Sequence, residues 1–323
     1  MPRSLSRRIV PPSPRIHAAP RVRAVVLGDL VLDAVILPIR TPEPATDVPG
    51  RVALRQGGSA ATTARWLARL GARTTLVCSV GRDPLGRALV DVVAADGVRV
   101  RATRVAGART GRIGVIVGSD GERSFVADRG AADGLAPADL TAATFEADVL
   151  HLPAYSLLGE PLGRAGSHGI ELARRAGARV SLDLASMRPL LARGQRAATT
   201  LVRDAAPDVL FATRAESQAL LGGPWLSDMF ELAPLVVIKE GRNGASVLAR
   251  DGGSRFTFEV ATRSVAAPDT TGAGDAFDAG FLAAWLHMPE AERNRPAGLR
   301  RAVVAANRAA ARHLANPGKE LSL

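Results

Sequence analysis

Short apolar segments alternate with helical segments through the second half of the chain, and this alternation constrains the fold more than any other feature. Helical periodicity lies between the apolar segments, in GIELARRAG (169–177) and AESQALLG (215–222). The segments predicted as strands are DVLHLPAY, RVSLDLA, DVLFAT and LVVIKEG. Strands that alternate with helices form a parallel sheet with helices on both faces. The chain is therefore predicted to be an α/β protein.

The first half adds strands and helices of the same kind. Residues 21–38 predict a buried strand, a turn at Gly28 and Asp29, and a second extended segment. Helices are predicted within 57–72 and 81–98, the second with Asp83 as its N-cap and Pro84 at its first position. The strand TTLVCSV lies between them, and a C-terminal helix is predicted over 298–314.

Two β-rich blocks do not fit this alternation. Residues 33–56 and 98–127 contain short alternating strands, and the SDGE segment (119–122) is typical of a hairpin turn. We predict that these blocks form a small separate sheet laid over the larger layer.

Composition limits the compartment and the partners. The 323 residues are 47% apolar, which suits one large globular domain or two ordinary ones. No uninterrupted apolar run reaches the length of a membrane span. The single cysteine, Cys78, lies in an apolar run, so it predicts a buried strand thiol and a reducing compartment. Residues 1–20 have no apolar core of the signal-peptide type, and a cytoplasmic protein is expected.

The net charge of +11 comes largely from arginines near the start of the sequence. Six arginines precede the first acid, Asp29, and without them 36 basic residues face 31 acidic ones. Aromatic residues make up 4% and are not interleaved with the arginines, whereas nucleic-acid sites combine basic patches with stacking aromatics. We therefore predict a disordered basic tail over residues 1–20 and no nucleic-acid partner.

The segment DTTGAGDAF (269–277) is a glycine-rich turn that opens a helix near Ala273 or Gly274. Backbone N–H groups in such a turn, together with the positive end of the helix dipole, can hold an anion over Gly272–Asp275. The segment lacks the third glycine of a dinucleotide fingerprint and the lysine of a Walker A loop. Alternatively, the segment is only a structural turn at the start of a helix, and Asp275 complements the positive end of the helix dipole.

Asp275 favours phosphoryl transfer over that alternative. A carboxylate beside an anion site repels the anion, so it is costly there without a role. If the anion is a transferred phosphoryl group, an aspartate at this position can take the proton of the incoming hydroxyl. The helix dipole is expected to keep this carboxylate ionised.

DTTGAGDAF resembles the C-terminal signature of the PfkB-type carbohydrate kinases, and residues 57–86 are similar to their N-terminal signature region. The resemblance extends from about residue 22 to residue 315. It implies a three-layer ribokinase-like fold with a central, mostly parallel sheet flanked by helices, plus a small β-sheet lid. The implied kinase domain is 21–315, with lid segments near 34–56 and 98–127 and a C-terminal tail over 316–323.

The resemblance also implies a set of site residues. Asp275 would be the catalytic base, with Gly272, Ala273 and Gly274 as the anion hole. The sugar would be held by Asp33, Gly57, Gly58, Thr62 and Asp29. The nucleotide would be held by Lys239, Gly241, Gly244, Thr271 and Asn307. Glu216 would act on Mg²⁺ through water.

The implied reaction transfers the γ-phosphoryl group of ATP to a hydroxyl of a small ribose-, fructose- or ketogluconate-like sugar. Mg²⁺ is the implied cofactor, and a monovalent cation such as K⁺ would bind near 265–269. The resemblance also implies a homodimer formed through the lid, and no membrane partner.

Three positions depart from the family pattern: Thr62, Ala132 and Thr213 stand where many members carry asparagine. These departures leave two other functions open. One is a nucleoside kinase with an adenosine-like substrate, because a ribose presents the same hydroxyls. The other is a catalytically weak sugar- or nucleotide-binding sensor.

Overall fold

A computed structural model describes residues 22–118, 123–224, 226–251, 253–263, 265, 267, 269–316, 320 and 321. The predicted tail over residues 1–20 and the predicted SDGE turn lie outside this range. Within it, no helix combines the length and the apolar character needed to cross a membrane.

The larger of two sheets has nine strands in the order β13-β12-β11-β10-β9-β8-β1-β4-β5. Its strands run parallel from β5 to β11, and β12 and β13 pair antiparallel at one edge. The strand bounds are β1 Arg23–Leu27, β4 Arg73–Gly81, β5 Arg99–Val105, β8 Val149–Pro153, β9 Arg179–Asp183, β10 Val209–Thr213, β11 Leu235–Lys239, β12 Ala245–Asp251 and β13 Ser254–Val260.

Helices cover both faces of this sheet, as the alternation predicts. Successive residues of a strand point to opposite faces, so Ala24 and Val26 pack into one apolar cluster and Val25 and Leu27 into the other. The first cluster includes α1, α2, α7 and α9, and the second includes α3, α5 and α6. The helix bounds are α1 Ser59–Arg69, α2 Pro84–Ala94, α3 Leu162–Arg175, α4 Met187–Leu191, α5 Gln195–Ala205, α6 Arg214–Leu221, α7 Ala273–His287, α8 Glu290–Arg293 and α9 Pro296–Ala315.

A smaller sheet of four strands, in the order β3-β2-β6-β7, lies apart from the larger one and is called the lid here. Its strands are β2 Val31–Pro38, β3 Gly50–Gly57, β6 Arg112–Val117 and β7 Arg123–Asp128. The three-layer α/β architecture with a second, small sheet is thereby confirmed.

The predicted lid boundary is wrong in one part. Residues 98–127 were assigned to the lid, but Arg99–Val105 pairs in parallel with β4 at the edge of the larger sheet. An edge strand alternates in burial just as a lid strand does, so alternation alone does not tell which sheet it joins. From this block, only β6 and most of β7 belong to the lid. β7 ends at Asp128, one residue beyond the predicted block.

Candidate active site

A cavity of about 1270 Å³ lies between the lid and the carboxyl ends of the parallel strands. Ligands of open α/β sheets bind at this end of the strands. The cavity is lined by every predicted site residue except Gly57. Positions as far apart in sequence as Asp29 and Asn307 are therefore brought together.

The glycine turn opens α7, as the sequence predicts. The helix starts at Ala273, and its N-cap Gly272 has a φ of 82°, a conformation that favours glycine. A Cβ on Gly272 would lie 2.8 Å from Nε2 of His313, so a side chain has no room there. The turn faces the cavity with the amino end of a fifteen-residue helix, which suits an anion.

Asp275 lies in the first turn of α7 and accepts a hydrogen bond from the Ser59 hydroxyl, with an Oγ to Oδ1 distance of 2.6 Å. The helix dipole was expected to keep this carboxylate ionised, and the structure differs. Burial raises the pKa of Asp275 to about 7; the Ser59 bond opposes the rise, and the negative charge of Asp183 adds to it. A carboxyl with this pKa is a stronger base than ordinary aspartate and is partly ionised at neutral pH.

A buried charge cluster lies beneath the turn. Nζ of Lys239 is 2.8 Å from Oδ1 of Asp183 and 3.3 Å from Oδ2 of Asp278. Burial disfavours the ammonium, but the carboxylates of Asp183, Asp278 and Glu216 outweigh it and raise the pKa of Lys239. Burial also raises the pKa of Asp278, whose other oxygen, Oδ1, has no hydrogen-bond partner among the described residues.

The protein residues predicted to bind the sugar lie on the lid strands β2 and β3 or beside them. Asp33 is on β2, and burial, reinforced by Asp29 and Asp269, raises its pKa to about 7 against the effect of Arg55. Asp29 follows β1; its Oδ1 accepts from the Ala60 amide at 3.2 Å. Asp29 therefore also serves the start of α1.

The two adjacent glycines lie in close contact with two acidic residues of the protein itself. A Cβ on Gly57 would lie 2.0 Å from the Asp33 carboxylate, and one on Gly58 would lie 2.6 Å from the Asp29 carbonyl oxygen. Gly58 is also the N-cap of α1, with a φ of 99°. Thr62 lies one turn along that helix and lines the cavity.

The residues predicted to bind the nucleotide also line the cavity. Gly241 and Gly244 have φ of 57° and 98°, and a Cβ on Gly244 would lie 2.0 Å from the Val260 carbonyl oxygen. Nδ2 of Asn307, on α9, is buried without a partner among the residues described. An orphaned donor in a cavity wall is a group that a bound ligand would satisfy.

The side chain of Glu216 forms a hydrogen bond at the start of its own helix, α6. Its Oε2 accepts from the Thr213 amide at 2.7 Å, and its amide donates to the Thr213 hydroxyl at 3.2 Å, which is a capping box. The departure at Thr213 therefore supplies a good helix cap. In the described part of the chain, no three His, Cys, Asp or Glu side chains are grouped so as to hold a metal ion. The other departure outside the sugar site, Ala132, is buried in a short 3₁₀ turn.

Sequence reasoning missed several residues that surround the predicted ones. Ser59 reads as an ordinary first residue of a helix, and Asp183 lies within the segment RVSLDLA that was predicted as a strand. Asp278 gives a signal, because it lies on the same helix as Asp275, three residues on, among buried apolar neighbours. Two lid arginines also reach the turn: Arg55 bonds Asp269 at 2.8 Å, and Arg123 bonds the Thr271 hydroxyl at 3.3 Å.

Comparison with known proteins decides the family. The pfkB family of carbohydrate kinases matches residues 22–322, which include both sheets and the glycine turn. The chain belongs to the PfkB family. A fructokinase of Klebsiella pneumoniae is 34% identical over 270 residues, which are 80% of this chain and 82% of that protein.

Solved structures share the fold of this PfkB kinase. An adenosine kinase from Sinorhizobium meliloti has a TM-score of 0.79 at 22% identity and covers 94% of this chain and 97% of its own. A double mutant of a fructokinase from Vibrio cholerae O395, with fructose, ADP and a potassium ion bound, has a TM-score of 0.73 at 24% identity, with coverages of 92% and 94%. Membership of the family and the fructokinase relatives make the protein an ATP-dependent sugar kinase, a phosphotransferase that acts on a sugar hydroxyl.

Proposed function

We propose that this PfkB kinase phosphorylates a ketohexose such as fructose, with Asp275 as the general base. The carboxyl of Asp275 at the start of α7, in the cavity that Asp33 also lines, is the observation that carries the proposal. The identity of 34% to a fructokinase favours fructose among the ribose-, fructose- and ketogluconate-like sugars.

In the proposed reaction, Asp33 and Asp29 accept hydrogen bonds from two sugar hydroxyls and orient the sugar under the lid. Asp275 accepts the proton of the attacking hydroxyl as its oxygen bonds to the γ-phosphorus of ATP. The bond between that phosphorus and the bridging β–γ oxygen breaks, and ADP leaves. The amides of Gly272 and Gly274 face the oxygens of the transferred group and stabilise their charge. The Ala273 amide, the third member of the predicted anion hole, instead donates to the Thr270 carbonyl oxygen at 3.2 Å.

We propose that ATP lies along Gly241, Gly244, Thr271 and Asn307, and Asn307 offers it an unsatisfied donor. Lys239 would add its charge from beneath the turn, although its ammonium already has two carboxylate partners. Mg²⁺ would neutralise charge on the ATP phosphates. It keeps several waters when bound to phosphates, which suits a water-mediated role for Glu216.

A potassium site stays a proposal for residues 265–269, because residues 266 and 268 lie outside the described range. The V. cholerae fructokinase structure contains a potassium ion, which supports a test with K⁺ and Na⁺ salts. We also propose a cytoplasmic location, because the reaction uses ATP and Cys78 is a buried free thiol.

The domain limits are part of the same proposal. We propose one kinase domain over residues 21–315, with tails over 1–20 and 316–323. Part of the C-terminal tail attaches to the lid, since the Leu321 amide donates to the Leu54 carbonyl oxygen at 2.8 Å and Glu320 pairs with Arg51.

A substrate panel tests the proposal. The full chain would be incubated with Mg²⁺, ATP and one acceptor at a time: fructose, ribose, 2-ketogluconate or adenosine. ADP and the phosphorylated acceptor are measured together. We expect fructose to give the highest kcat/KM. Adenosine ahead of every sugar would favour the nucleoside kinase, and binding of fructose without ADP formation would favour the sensor.

A further inference from the structure

His313, in the last turn of α9, forms two hydrogen bonds inside the protein. Nε1 of Trp66 donates to Nδ1 of His313 at 3.0 Å, and Nε2 of His313 lies 2.7 Å from the carbonyl oxygen of Thr271. His313 is 8% exposed and Trp66 is 7% exposed. The two rings meet edge to face, with their centroids 5.9 Å apart.

These partners fix the protonation state of the imidazole. An indole N–H can only donate and a carbonyl oxygen can only accept, so Nδ1 must carry a lone pair and Nε2 must carry the proton. Only the neutral Nε2–H tautomer satisfies both bonds. Burial lowers the pKa of His313, which favours this neutral form.

The Thr271 carbonyl belongs to the first peptide of the glycine turn. In a trans peptide, the C=O and the following N–H point to opposite sides. A Thr271 carbonyl held on His313 therefore directs the Gly272 N–H away from the imidazole. Other groups hold the same residue: the Thr271 amide donates to Asp269 at 2.9 Å, and Arg123 bonds its hydroxyl.

The imidazole also sets the space around the turn. Its Nε2 would lie 2.8 Å from a Cβ on Gly272, so the ring is in close contact with this glycine. Its other partner, Trp66, belongs to α1, the helix that begins at Gly58 and Ser59. His313 thus joins the helix of the sugar site, the turn of the phosphoryl site and the helix that carries Asn307.

We propose that His313 is a positioning residue for phosphoryl transfer: held by Trp66, it fixes the Thr271–Gly272 peptide so that the Gly272 N–H faces the transferred group. The inference rests on the proposed function, because it assigns a role in that reaction. His313 lines the cavity, but both of its ring nitrogens are engaged by Trp66 and Thr271, so its role runs through the turn.

Four variants of the full chain test the inference: H313A, H313Q, W66F and H168A. A glutamine can accept at its oxygen and donate at its nitrogen, so it can replace both imidazole bonds. W66F removes only the hydrogen bond from the indole of Trp66 to Nδ1 of His313. H168A is the matched control, because His168 lies on the remote helix α3 and its side chain is 36% exposed.

We expect kcat of H313A to fall by roughly 10- to 100-fold with KM for the sugar nearly unchanged, because a misplaced turn affects the transition state more than sugar binding. H313Q should recover much of the lost kcat. The kcat of W66F should lie between those of H313A and the wild type, and H168A should match the wild type. Melting curves show whether each variant folds. If H313A does not fold, the comparison of kcat with the wild type rests on H313Q and W66F. Unchanged kcat in folded H313A, or a rise only in KM for ATP, would overturn the inference.

A spectroscopic measurement separates this inference from the proposed function. Proton–nitrogen NMR of the histidine rings should show a neutral Nε2–H tautomer for the signal that disappears in H313A. A charged ring, or an Nδ1–H tautomer, at neutral pH would overturn the inference even if fructose proved the wrong sugar. An inactive wild type with the expected tautomer would instead count against the proposed function alone.

Discussion

At the scale of single residues, the turn was predictable and its immediate neighbours were not. Gly272 and Asp275 lie in one short segment, so their relation can be read from the sequence. Ser59 is 216 residues from Asp275 along the chain and is brought to it only by the packing of α1 against α7. The ionisation of Asp275 could not be predicted either, because burial outweighs the helix dipole and depends on the whole surrounding fold.

The Ser59 hydrogen bond gives a prediction for the pH dependence of the reaction. The bond favours the ionised carboxylate and lowers the pKa of Asp275 against the effect of burial. S59A should therefore move the acid limb of the kcat profile to higher pH, so that activity is lost near neutrality and recovered in alkali. S59T keeps the hydroxyl and should keep the limb in place.

The measurement is kcat against pH at saturating fructose and ATP for the wild type, S59A and S59T. Ser227 is exposed and does not line the cavity, so S227A is the control and should follow the wild-type profile. A limb in S59A at the wild-type position would show that the hydroxyl does not stabilise the carboxylate.

At the scale of elements, local patterns fixed which segments are strands and helices but not which sheet each strand joins. The parallel strands and α7 appear where the alternation and the glycine turn predict them. Arg99–Val105 was assigned to the wrong sheet, since its partner β4 lies on the far side of α2 in sequence. The buried cluster of Asp183, Lys239 and Asp278 escaped prediction for the same reason: it joins β9, β11 and α7.

That cluster gives a prediction for stability. K239M removes the only cation among the described residues that pairs with Asp183 and Asp278, and it leaves two carboxylates buried without a counter-charge. We expect the free energy of unfolding in urea to fall by about 3–5 kcal/mol. R164M is the matched control, because Arg164 pairs with Glu160 on the surface; its loss should stay below about 1 kcal/mol. Equal losses of unfolding free energy in K239M and R164M would mean that the buried cluster stabilises the fold no more than a surface ion pair does.

At the scale of the whole molecule, the sequence predicted the layers and the lid, and it could not show which lid side chains are exposed. Val35 is buried and lines the cavity, and Val115, its partner on β6, is buried on the same face of the lid. On the opposite face, Val52 is 62% and Val126 is 67% exposed. Exposed β-branched side chains on an uncovered sheet face are typical of an interaction surface.

We expect this outer face to form the homodimer proposed from the family resemblance. Sedimentation should give a dimer for the wild type, and V52D with V126D should give a monomer, because charges on both sides cannot be buried against each other. V304D is the control, since Val304 is exposed at 38% on α9, away from the lid. If the double variant remained a dimer, the interface would not be the outer face of the lid.

The central claim is that Asp275 takes the proton of the sugar hydroxyl. It is tested most directly by kcat of the wild type and D275N, with saturating fructose and ATP, between about pH 5.5 and pH 9. Because the ionised carboxylate is the active form and burial raises its pKa to about 7, wild-type kcat should fall as the pH drops through about 7. D275N should be roughly 10²- to 10⁴-fold slower and should lack this limb. A D275N enzyme of nearly wild-type kcat, with the limb intact, would contradict the claim.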